Sequence, residues 1–177
     1  MEQFCVRYIN HGDIHIGLLR KRADDISVTM ADSETQAALE DVVKTIGGVW
    51  VLVRNENLDE YLKEIGVNFV LRKLAAAASS TMTITREDNK IRIVTKGPKD
   101  TDVSFELNKE VVSHDPNDNE MKATVTWDAG KLTTDSSPTE GSKGKATLVE
   151  RMMVDDQLIM IVKVNQVEMR RIFKKKS

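Results

Sequence analysis

From Thr81 to the carboxyl end, short stretches suited to pleated sheet recur between polar turns and leave little room for any other element. The strands fall at 81–86, 90–96, 101–107, 110–114, 120–128, 131–137, 144–154, 157–164 and 166–174. The turns between them carry Asp88-Asn89, Gly97-Pro98, Pro116-Asn117-Asp118, Ala129-Gly130, Asp155-Asp156 and Asn165. Val49-Trp50-Val51-Leu52-Val53 supplies one earlier strand. Ten sequential strands joined by tight turns form an antiparallel meander, which needs two packed sheets or closure. Closure removes the exposed edges on which sheets aggregate. The expected class is mainly β, a ten-stranded up-and-down barrel.

Two short helices interrupt the strands. Asn57 offers an N-cap, Asp59 and Glu60 suit the positive end of a helix, and Gly66 stops it after Tyr61, Leu62 and Ile65. Asn68 starts a second helix running through Phe69, Leu71 and Leu74 into Ala75–Ala78. Inserted after the first strand, this pair would cover an open end as a helix-turn-helix lid. Residues 1–32 lack sustained periodicity. Ser33 with Gln36 forms a capping-box pattern ahead of Leu39, Val42, Val43 and Ile46 on one helical face. The expected organisation is an amino-terminal extension over 1–45, flexible or partly helical, and a barrel over 46–177. Met30 offers an alternative start.

The totals exclude several classes. A formal net charge of -2 in 177 residues gives no basis for wholesale nucleic-acid binding. Cys5 is the only cysteine, which rules out an internal disulfide and fits a reducing compartment. No apolar run of about 18 residues exists, and the opening segment lacks a secretory apolar stretch. A cytoplasmic home is the expectation. Neither a metal nor a cofactor is expected: His11 and His15 flank Asp13 without further ligands nearby, and Gly141–Thr147 lacks phosphate-loop spacing. No nucleophile and base come together in any motif, so the chain does not read as an enzyme.

Alternation places Val167, Met169, Arg171 and Phe173 on one face of the last strand, and Thr147, Val149, Arg151 and Met153 on one face of another. Each face sets one arginine among apolar neighbours. If the faces point inward, two buried cations require an acid, ordered water or an anionic ligand, and a planar guanidinium matches a carboxylate. If they point outward, both arginines are solvated or paired with Glu150 and Glu168. The pattern alone leaves both open.

Longer motifs add a resemblance. Gly48-Val49-Trp50-Val51-Leu52, Asn57-Leu58-Asp59-Glu60-Tyr61-Leu62-Lys63, Gly66-Val67-Asn68-Phe69 and Arg72-Lys73-Leu74-Ala75 resemble the amino-terminal signature of the intracellular lipid-binding proteins, the cytosolic fatty-acid- and retinoid-binding group. Asp102–Leu107, Thr147–Arg151 and Arg170–Phe173 resemble its fourth-strand motif and its ligand-anchoring strands, so the likeness spans about 46–177. The resemblance implies a carried long-chain fatty acid or related lipid, with Arg151, Arg171 and Phe173 at its carboxylate and Tyr61, Val149, Met153 and Met169 in the cavity or lid. It also implies transient membrane contact through the lid. Lys63, Arg72 and Lys73 match a basic cluster that serves in nuclear import, which would suit a retinoid or other lipid-signal carrier and a nuclear-receptor partner. A barrel that acts only as a protein-interaction module is the rival. Leu58 replaces an aromatic residue of the signature, Phe173 a tyrosine of the anchor, and Pro98 a portal phenylalanine.

Overall fold

The computed structural model describes residues 32–176. Helix α1 covers 32–46 and is followed by β1 (Gly48–Glu56), α2 (Leu58–Glu64) and α3 (Phe69–Ala77). Nine strands complete the chain: β2 (Thr81–Glu87), β3 (Lys90–Lys96), β4 (Thr101–Phe105), β5 (Glu110–His114), β6 (Glu120–Asp128), β7 (Lys131–Pro138), β8 (Thr147–Val154), β9 (Gln157–Val164) and β10 (Val167–Lys175). They form one antiparallel sheet in the order β4-β3-β2-β1-β10-β9-β8-β7-β6-β5. Pairing of β1 with β10 joins the two ends of the meander, while β4 and β5 are not hydrogen-bonded to each other, so the ten-stranded barrel is nearly closed.

Turn chemistry sets the hairpins. Asp88, Ala129, Asp155 and Asn165 all take positive φ, as two-residue hairpin turns require, and Gly130 (φ 78°) follows Ala129 in the same conformation. Two expected strands are shorter than their apolar patterns. The chain leaves β4 at Phe105 because Asn108 adopts φ 61° and donates its backbone N–H to the Val125 carbonyl at 2.8 Å. β8 starts at Thr147, because Gly144 donates its N–H back to Ser142 Oγ at 3.3 Å and Lys145 is drawn to α2.

At one end of the barrel Leu39, Val42 and Ile46 of α1 are fully buried in a core with Trp50, Leu158 and Phe173. Each such side chain contributes about 1.5–3 kcal/mol of burial. Residues from Ala38 onward belong to one compact unit with the barrel, so part of the helix read as an extension supplies core. Trp50 Nε1 donates to the Ile46 carbonyl and Trp127 Nε1 to Asp41 Oδ2, both at 2.8 Å. Gly47 makes the turn into β1, where a Cβ would run into the Val43 carbonyl. The helix already includes Asp32, so Ser33 lies within it rather than capping it.

A second cluster, under α2 at the opposite end, gathers Tyr61, Val162, Val164 and Met169. Asn57 holds the N-cap position of α2 as expected but makes no side-chain cap bond: it takes φ 59°, and its side chain donates to the Glu168 carbonyl at 2.7 Å, pinning the helix start to β10. The far end of α2 is strapped to three loops. Lys145 Nζ and Asn165 Nδ2 donate to Glu64 Oε1 at 2.7 and 2.6 Å, and Asn117 Nδ2 donates to the Ile65 carbonyl at 2.6 Å. By contrast α3, capped by Asn68, buries none of its side chains and exposes Phe69, Val70, Leu71 and Leu74.

Candidate functional site

The barrel encloses a cavity of about 770 Å³, within the range of small-molecule sites. α2 contributes Leu58, Tyr61 and Leu62 to its lining, and α3 contributes Ala75. Opposite walls supply Met82, Met121, Met160 and Met169, flexible thioethers that fit irregular apolar shapes.

Arg151 and Arg171 both line this cavity, one from β8 and one from β10. They share the interior with Val149, Met169 and Tyr61, so the inward alternative for both strands is the one the barrel adopts. The acids beside them in sequence are engaged elsewhere. Glu150 accepts from Lys131 at 2.6 Å and Lys163 at 3.0 Å, and Glu168 pairs with Arg170 at 2.8 Å. Neither cavity arginine has an ion pair among the described residues. Arg151 Nη1 reaches only Thr134 Oγ1, at 3.4 Å, and its buried Nε has no hydrogen-bond partner. Arg171 Nε donates to Asn55 Oδ1 at 3.1 Å, and the guanidinium lies 5.2 Å from the Phe173 ring centre.

These surroundings disfavour charge. Burial, followed by the nearby Arg171 charge, pushes the Arg151 guanidinium down to about 10, since what surface it keeps faces the cavity rather than bulk water. Burial also lowers Arg171, against a smaller opposing effect of Tyr61. The Tyr61 phenol is pushed up to about 12 by burial and by Asp115, so it stays a neutral donor at ordinary pH. The site is thus a mostly apolar chamber holding two under-compensated cations, with Tyr61 as a neutral donor and the acids Asp102, Asp115 and Asp118 elsewhere on its lining.

A family model described as the lipocalin and cytosolic fatty-acid binding protein family matches residues 47–176. The chain belongs to that family. Its members are lipid carriers rather than enzymes. Human fatty acid-binding protein 9 is 31% identical over 135 residues, 76% of this chain and 99% of that protein. The adipocyte fatty acid-binding protein of Pygoscelis papua is 32% identical over 72% of this chain and 95% of its own length. Among solved structures, apo lipid binding protein 8 of Caenorhabditis elegans superposes with a TM-score of 0.71 at 26% identity, covering 75% of this chain and 96% of that one. The family barrel thus accounts for nearly the whole of these relatives, and α1 precedes the matched segment.

Not every residue expected at the site faces the cavity. Phe173 and Met153 belong to the core cluster nearer α1, Phe173 as a fully buried floor under Arg171. The lid cluster is largely neutralised: Arg72 pairs with Asp59 at 3.1 Å and Lys63 with Glu60 at 3.8 Å, while Lys73 sits 5.2 Å from the Phe69 ring centre. Asn55 and Thr134, which touch the arginines, carry no motif of their own and come to the site only through strand register.

Proposed function

We propose that the chain carries one long-chain fatty acid, or a similar hydrophobic carboxylate, with its head group at Arg151 and Arg171. The observation that carries this reading is the pair of buried cations without an ion-pair partner among the described residues, in a chamber whose lining is mostly apolar. At ~0.8 kcal/mol per buried methylene, a sixteen-carbon tail gains on the order of 12 kcal/mol before ordering and association costs. The tail therefore supplies most of the affinity, and the arginines orient the acid and reject heads that leave their charge unmatched. The names of the human and penguin relatives support a fatty acid over other lipids.

Delivery by lid contact with membranes fits α3, whose exposed Phe69, Val70 and Leu74 stand beside Lys73. Nuclear delivery through the basic cluster draws less support, because Lys63 and Arg72 are already paired with acids. A cytoplasmic carrier is the economical reading. Titration of delipidated protein with a fluorescent fatty acid tests it: saturable one-site binding supports the carrier, and its absence would favour the protein-interaction module. Mass spectrometry of lipid released from gently purified protein then names the cargo class.

A further inference from the structure

We propose that Asn55 is a third head-group donor, holding the ligand carboxylate through its side-chain amide from the strand opposite Arg171. The proposal deepens the carrier reading and rests on it. Phe173 has no polar side-chain atom, so the floor beneath Arg171 offers a ring face and no hydrogen bond. The neighbour that does touch the guanidinium comes from β1. Asn55 and Arg171 are directly paired across the β1–β10 ladder, and both line the cavity.

The chemistry of that pair fixes the orientation of the amide. An arginine Nε–H can only donate, so the atom of Asn55 that faces it must be the acceptor Oδ1. The NH2 group is then the other arm of the amide, a two-proton donor that makes no hydrogen bond among the described residues. With Nε committed to Asn55, the Nη groups of Arg171 remain for a ligand, and the Asn55 amide stands next to them. A carboxylate has two oxygens and about four lone-pair sites, more than one guanidinium edge satisfies. Nη of Arg171 and Nδ2 of Asn55 can each take part of that capacity, with Arg151 approaching from β8. A hydrogen bond to an ionised acceptor is roughly twice as strong as one to a neutral oxygen, so the amide favours acids over alcohols of equal chain length.

The experiment uses the full chain, delipidated and labelled with nitrogen-15, with hexadecanoic acid and hexadecanol as probes. The Asn55 side-chain NH2 signals are assigned by their loss in N55L. The acid should move them downfield and the alcohol should not. N55L should weaken acid binding about tenfold, the scale of one hydrogen bond to a charged group, and the alcohol far less. Should N55L melt below the wild type, N55A, which is smaller and carries no side-chain donor, should show the same acid-selective loss. If the variants keep the wild-type ratio of acid to alcohol affinity, or the amide signals ignore the acid, Asn55 is only a prop for Arg171 and the proposal falls. R171Q separates that result from failure of the carrier reading, because it still abolishes acid preference when Asn55 alone is wrong. A wild type without acid preference would overturn both.

Discussion

Replacing Arg151 with methionine should make the empty protein more stable while impairing its ability to distinguish acids from alcohols. Burial, and then the neighbouring Arg171, push the Arg151 guanidinium well below its ordinary range, to about 10, which corresponds to on the order of 3 kcal/mol of penalty on the charged form. For a base depressed in the folded state, the unfolded chain binds more protons between the two values. The penalty is therefore fully present below about pH 10 and could be relieved only at more alkaline pH. At pH 7 the wild type carries all of it, with a buried Nε that no group satisfies. Methionine keeps an unbranched apolar stem in the cavity and removes the charge. A gain on the order of 3 kcal/mol corresponds to a melting temperature about 12 °C higher, at roughly 4 °C per kcal/mol for a domain of this size. Urea and thermal unfolding of delipidated protein at pH 7 measure the gain. Saturating hexadecanoic acid at a hundred times its Kd should then stabilise the wild type by about 2.7 kcal/mol, and the same concentration should stabilise R151M much less. A variant that melts no higher than the wild type when empty would show that Arg151 bears no uncompensated charge, and the case for an anionic ligand would lose its main support.

Four further outcomes are expected. Phe173→Tyr should lower stability in urea unfolding and leave the acid-to-alcohol affinity ratio unchanged in paired titrations, because the fully buried ring lies outside the cavity lining and a new hydroxyl there would meet core rather than ligand. Leu39→Ala should cost about 2–5 kcal/mol in urea unfolding because the side chain is fully buried, whereas a chain begun at Met30 should keep its melting temperature and lipid affinity. Glu64 is held below its ordinary 4.5 first by the Lys145 hydrogen bond and then by that from Asn165, so its strapping of α2 is present above about pH 4.5 and lost as pH falls through its lowered folded value; fatty-acid release rates should rise in that acid range in the wild type and be insensitive to it in E64Q. Replacing Phe69 and Leu74 together with serine should lower association with lipid vesicles in a sedimentation assay without changing cavity affinity, since neither residue is buried.

Most of the barrel was legible because a half-buried strand writes its own period into the chain. The alternation around Arg151 and Arg171 singled out the two cations that the fold turns inward. The same alternation could not tell depth along the barrel axis, so Met153 and Phe173 share a face with the arginines and yet belong to the core near α1. Asn55 was invisible for a different reason. Its role depends on which strand closes the sheet and in what register, and neither is encoded within β1 itself. Asn57 has the composition of a helix cap, but contact with Glu168 places it in a left-handed conformation that local preference does not foresee. The apolar stripe of α1 was readable as a helix face, whereas its destination in the barrel core is a tertiary fact.

The β1–β10 ladder also places the proposed head-group site in time. Most neighbouring strands in the sheet are close in sequence, but Asn55 meets a partner 116 residues further along the chain. At a synthesis rate of about 5–20 residues per second, β1 leaves the ribosome on the order of ten seconds before the strand it must join. Loop closure across such a span is the slow, entropically expensive kind of contact. Asn55 and Arg171 therefore cannot come together until the last strand is made, and a nascent or carboxyl-truncated chain holds most of the wall but not the place where the wall meets. A bound carboxylate would then act as a late clasp, drawing on groups from both ends of the chain and rewarding only the finished barrel.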